Sequence, residues 1–297
     1  MKPGSLVSYA VSALLVAATA SAQEKTGTLS DGDPVSERFL RRYVNPNQVA
    51  ILRWYPANQT ADFPVGTLPF GVAFDGASIW VTNRSTNNVT KLRASDGTNL
   101  GTFPVGTEPL GVAFDGANVW VTNYGSNNVT KLRASTGASL GTFPVGTSPS
   151  AVAFDGANVW VTNELSNNVT KRRASDGMSL GTFPVGTGPY GVAFDGTNVW
   201  VVNGASDDVT KLRASDGANL GTFPVGDNPI GVAFDGANVW VANYFSNSVT
   251  KLRASDGSTL GTFPAGTSPH SVAFDGVNVW VTNFGSGNVT KLRASDG

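Results

Sequence analysis

Residues Gly101–Leu140 read GTFPVGTEPLGVAFDGANVWVTNYGSNNVTKLRASTGASL, and the chain then repeats them almost word for word. Further copies start at Gly141, Gly181, Gly221 and Gly261, a period of 40 residues with no insertion. A diverged copy starts at Ala61 (ADFPVGTLPFGVAFDGASIWVTN), which makes six, and Asn47–Gly66 aligns with Asn87–Gly106 as a half-copy. A fixed period of this length marks a repeat architecture and decides the fold before any residue is read for chemistry.

Within the quoted copy four short strands are expected. They are Gly111–Phe114, closed by Asp115-Gly116; Asn118–Thr122, closed by Asn123; Asn128–Ala134, closed by Ser135-Thr136-Gly137; and Leu140–Val145, closed by Gly146. Short β-rich runs punctuated by Asp-Gly and Asn/Ser/Gly clusters predict antiparallel hairpins throughout. Four antiparallel strands in about 40 residues is the signature of a propeller blade. Gly111 and Ala113 suit an inner strand crowded at the axis. Val119, Trp120 and Val121 are apolar on both faces, as a blade packed between two neighbours requires. The proline of the fourth strand (Pro104, Pro144 and their repeats) belongs on an edge, so that strand is outermost.

The expected fold is therefore all-β: one propeller of four-stranded antiparallel blades, six-bladed, with a truncated seven-bladed ring as the alternative. The last copy supplies three strands. Donation of a fourth by the N-terminal half-copy, around Gln59–Val65, would close the ring and leave no open edge.

Residues 1–22 read as a signal peptide: Lys2, an apolar run over Leu6–Ala18, then Ala20-Ser21-Ala22 before Gln23. The run is short for a membrane anchor and holds two serines. Residues 23–46 form a polar leader, and residues 47–297 the propeller. A secreted, periplasmic or cell-surface protein is expected, monomeric and without a membrane span after cleavage. The net charge of −1 argues against nucleic acid as a partner. Cysteine is absent, and His270 is the one histidine of the chain. That excludes disulfides, thiolate chemistry and multi-histidine metal sites; no cofactor and no metal are expected.

The run Pro104–Gly116 (PVGTEPLGVAFDG) and Val119–Asn123 (VWVTN) resemble the YVTN-type β-propeller repeat family, which is related to NHL-type propellers, with Trp standing where the family name has Tyr. The resemblance covers residues 47–297. It implies the propeller fold and an exported or cell-surface setting in bacteria or archaea, and little chemistry. Streptogramin lyases look similar in fold and repeat style, and that resemblance implies a His-plus-acid site with a magnesium ion. His270 alone cannot furnish their paired histidines.

Function is sought where the copies differ. One variable set flanks the proline before the first strand: Leu68/Phe70, Glu108/Leu110, Ser148/Ser150, Gly188/Tyr190, Asn228/Ile230 and Ser268/His270. The other follows the second strand, at Arg84, Tyr124, Glu164, Gly204, Tyr244 and Phe284 and the residue after each. In an up-and-down blade both connections lie at one end, so one face carries nearly all the chemical diversity. Phe70, Tyr124, Tyr190, Tyr244, Phe245 and Phe284 are its candidate apolar contacts, and Arg84, Glu108, Glu164 and His270 its polar ones. The expected function is recognition of a protein, peptide or glycan. A lyase-like or hydrolytic enzyme using Arg84, Glu108, Glu164 and His270 is the alternative, and an architectural cell-surface module a second. Drift at unconstrained loop positions is the bland reading, and an Arg84–Glu108 salt bridge the ordinary outcome for that pair.

Three repeated features have structural readings. The Asn-Val-Thr sequons at Asn88, Asn128, Asn168 and Asn288 are expected to serve turns. The Asp-Gly pairs are expected to close hairpins rather than bind calcium. The Lys-Leu-Arg stretches, balanced by Asp96 and its repeats, are expected on a solvated outer surface.

Overall fold

The computed structural model describes residues 62–297. The first blade is built from β1 (Pro69–Phe74), β2 (Ser78–Asn83), β3 (Asn88–Arg93) and β4 (Asn99–Pro104). The same pattern recurs to a last blade of three strands, Pro269–Phe274, Asn278–Asn283 and Asn288–Arg293. Each sheet is antiparallel with its strands in chain order, giving a six-bladed β-propeller. The signal peptide, the leader, the half-copy up to residue 61 and most of the proposed closing strand lie outside the described residues.

Each hairpin is written into its turn. In the first, Asp75 Oδ1 accepts from the backbone of Ala77 (2.9 Å) and Ser78 (2.6 Å), while Oδ2 accepts from Trp80 Nε1 at 2.8 Å. The Asp that makes the turn thus also aims the Trp of the next strand. Gly76 follows at φ +94°, where a side chain would be strained. In the second, Asn83 Nδ2 donates to Asn88 Oδ1 (2.7 Å) and Thr90 Oγ1 (2.9 Å). The sequon Asn and Thr are therefore structural partners of the VTN asparagine.

Packing between blades uses the same residues five times. Trp80 and Val89, both fully buried, pack on Val119, Val121 and Leu132 of the next blade. A buried aromatic of this size contributes roughly 4–6 kcal/mol of gross apolar burial before chain entropy is charged against it. Thr82 Oγ1 donates across the same interface to Leu110 O at 2.7 Å. At the axis the inner strands approach closely: a Cβ on Gly111 would stand 2.7 Å from Ser150 O, so a side chain there would displace backbone.

One expectation is corrected. The arginines of the Lys-Leu-Arg stretches do lie outside, as in the exposed Arg93–Asp96 pair at 3.0 Å. The lysines do not. Lys91 is buried; its Nζ stands 5.1 Å from the Trp80 ring centre and donates to Ala134 O of the next blade at 2.6 Å. Burying an ammonium costs free energy unless it is hydrogen-bonded, and here a carbonyl and an aromatic face replace water. In the last blade Lys291 and Val289 are exposed, and Lys291 keeps only its place over Trp280 among these contacts.

Candidate functional site

The connection after each second strand bonds to the connection entering the first. Arg84 N donates to Leu68 O (2.9 Å) and Ser85 N to Thr67 O (3.1 Å), and the pattern repeats at Tyr124 N to Glu108 O (3.0 Å). Glu108 N in turn donates to Asn87 Oδ1 of the preceding blade at 2.9 Å. Both variable sets therefore lie at one end of the molecule, on a hydrogen-bonded rim that runs from the first blade to the last. Five of the six residues before the first-strand proline are non-glycine at positive φ, among them Leu68 (+53°) and Glu108 (+50°). The rim holds them in a sparsely populated conformation.

At the centre is a cavity of about 230 Å³ lined by the six inner strands. Each blade contributes the residue after its first-strand proline: Phe70, Leu110, Ser150, Tyr190, Ile230 and His270. Phe70 and His270 meet edge to face, ring centres 6.1 Å apart. Burial pushes the His270 imidazole below its ordinary pKa, which favours the neutral ring. Ser150 Oγ is spent internally, 2.9 Å from Thr162 Oγ1. The lining carries no acidic or basic side chain other than His270, and it mixes apolar side chains with polar groups.

A polar array crosses the first three blades. Glu108 Oε2 accepts from Arg84 Nη2 (2.7 Å) and Nε (3.2 Å). The guanidinium carbon stands 5.7 Å from the Tyr124 ring centre. Burial raises the Glu164 carboxyl, opposed by a hydrogen bond from Tyr124 and by the charge of Arg84. Its Oε2 is shut off from solvent with no hydrogen-bond partner. Arg84, Tyr124 and Glu164 occupy the same position in successive copies, which is why the fold sets them side by side.

The candidate residues thus separate into groups. Arg84, Glu108, Tyr124 and Glu164 come together; Phe70, Tyr190 and His270 line the channel; Tyr244 and Phe245 pair edge to face at 5.3 Å, with Phe245 and Phe284 exposed. His270 is in the channel wall, and neither Glu108 nor Glu164 shares that lining. Sequence reasoning passed over Asp207, Asp208 and Asp227. They stand on the same face, where other copies carry Asn, Asn and Thr. The comparison between copies that found the aromatics would have found them as well. Among the described residues no group of three or more His, Asp or Glu side chains is placed to hold a metal ion, and no helix is long and apolar enough to cross a membrane.

Six blades, a central cavity and one chemically diverse face define a β-propeller scaffold. No protein-family model and no curated protein matches the chain. Among solved structures it is similar to virginiamycin B lyase from Staphylococcus aureus, with a TM-score of 0.66 and 18% identity over 77% of this chain and 82% of that one. It is also similar to a streptogramin B lyase (TM-score 0.65, 18% identity, 77% and 83% covered). A third is hydrazine synthase from Kuenenia stuttgartiensis (TM-score 0.53, 17% identity, 81% and 99% covered). At these identities the likeness is one of fold.

Proposed function

We propose that the protein is an exported binding scaffold of the YVTN-type propeller class that recognises a partner through its variable face. The observation that carries this reading is the concentration of the chain's chemical diversity on one end of an otherwise repeated frame. There, exposed aromatics and a polar array surround a central cavity. Aromatic anchors beside polar groups are what recognition surfaces use. The frame beneath is tied together by hydrogen bonds between blades, which lowers the ordering cost of presenting the loops to a partner.

The test is a screen of glycans, peptidoglycan fragments and peptides against the parent and a Tyr244→Ala, Phe245→Ala, Phe284→Ala variant. A ligand of the parent is expected to lose at least about tenfold in affinity to a variant with unchanged circular dichroism and melting temperature. Equal affinity of the two proteins for every ligand found would move recognition off this face.

A further inference from the structure

Charge is distributed unevenly between the two ends of the propeller. On the variable face Arg84 is the one cation among the described residues, against the carboxylates of Glu108, Glu164, Asp207, Asp208 and Asp227. At the opposite end the aspartates of the Ser-Asp-Gly turns pair with arginines three residues earlier, at 3.0–3.1 Å in five blades. The Asp-Gly aspartates there are matched by one lysine per blade. A chain that is nearly neutral as a whole therefore presents one distinctly acidic face, whose field extends about a Debye length into solution.

Two independent features of the same face point to what it receives. The channel mouth on this face is a cavity to which Phe70, Leu110, Tyr190 and Ile230 contribute apolar side chains. Exposed Phe245 beside Tyr244 adds aromatic surface of the kind on which a cation rests well.

We infer that the variable face binds a basic peptide segment, its Lys or Arg side chains held by the acidic rim and an apolar side chain entering the channel mouth. This rests on the reading of that face as a recognition surface and specifies the partner's chemistry. Nucleic acids and acidic polymers are repelled by the same field, and an uncharged glycan would ignore it.

The repeats supply substitutions compatible with the fold. Asp207→Asn, Asp208→Asn and Asp227→Thr install the residues that other copies carry, and Asn at 207 retains the oxygen that accepts from Asn228 N at 2.7 Å. Asp176→Thr, Asp216→Thr and Asp256→Thr remove the same charge from the opposite end, copying Thr136. The probes are the labelled peptides Lys-Lys-Leu-Trp-Lys-Lys, Glu-Glu-Leu-Trp-Glu-Glu and Lys-Lys-Ser-Ser-Lys-Lys, titrated at low and at high salt. The first is expected to bind the parent saturably, to weaken at least about tenfold in the variable-face variant, and to be unchanged in the opposite-face variant. The second is expected not to bind, and the third to bind several-fold more weakly than the first.

Absence of saturable binding by the first peptide at low salt, equal losses in both variants, or equal binding of the acidic peptide would overturn the inference. If the screen then finds another ligand that the aromatic substitutions abolish, the recognition face stands and only its assigned partner falls.

Discussion

Arg172 is where a single residue departs most from its repeat. The other copies place Leu there (Leu92, Leu132, Leu212, Leu252, Leu292), and Arg172 is as buried as they are. Its Nη1 donates to Gly177 O at 2.6 Å, Nη2 donates to Pro144 O, and the guanidinium lies over Phe143. Nε has no partner, and burial depresses the pKa of the group. Two carbonyls and an aromatic ring replace water only in part, and no carboxylate offsets the charge. Arg172→Leu is expected to stabilise the protein by about 1–3 kcal/mol, read as a rise in melting temperature. An unchanged or lower midpoint would mean that these contacts offset the buried charge in full. Arg172 is legible in the sequence as an exception, but its burial is not, because arginine on a third strand reads as surface.

At the scale of the strand and its turns, two devices carry the blade. The buried lysine clamps one blade to the next, and Lys131→Met leaves the carbonyls of Ala174 and Ser175, now bonded at 2.6 and 2.9 Å, without their donor. A loss of about 1–3 kcal/mol is expected from Lys131→Met, and almost none from Lys291→Met, whose parent side chain is exposed. Denaturant melts of the two variants separate these outcomes, and equal losses would place the lysine's worth in its Trp contact alone. The second device is the turn aspartate. Burial by itself would raise the carboxyls of Asp155, Asp195 and Asp235, but hydrogen bonds from the Trp indole and the turn amides outweigh it and hold them below the ordinary 3.8. A carboxyl depressed by folding lends stability above its unfolded pKa and withdraws it as pH falls through the folded one. Melting temperature is therefore expected to hold above about pH 4 and to fall progressively below it. An Asp155→Asn, Asp195→Asn, Asp235→Asn variant should show a shallower fall, and an identical slope would shift acid sensitivity to other carboxylates. These turns were readable because donor and acceptor are at most five residues apart. The lysine clamp spans 43 residues and was misread for that reason.

For the molecule as a whole, the 40-residue period determined the four-strand blade, the strand order and the placement of both variable loops at one end. Those features follow from hydrogen bonds between residues near in the chain, inside one repeat or across one repeat boundary, as where Thr90 pairs with Thr102. Only the tertiary structure decided which variable residues meet. Beyond the Arg84–Glu108 salt bridge, which the sequence already led one to expect, it set Tyr124 beside Glu164 and sent His270 to the channel wall beside Phe70. It also gathered the acidic residues of separate blades onto one face and put the lysines inside. Such neighbours belong to different repeats, and their distances are set by how blades stack around an axis, which no local pattern encodes.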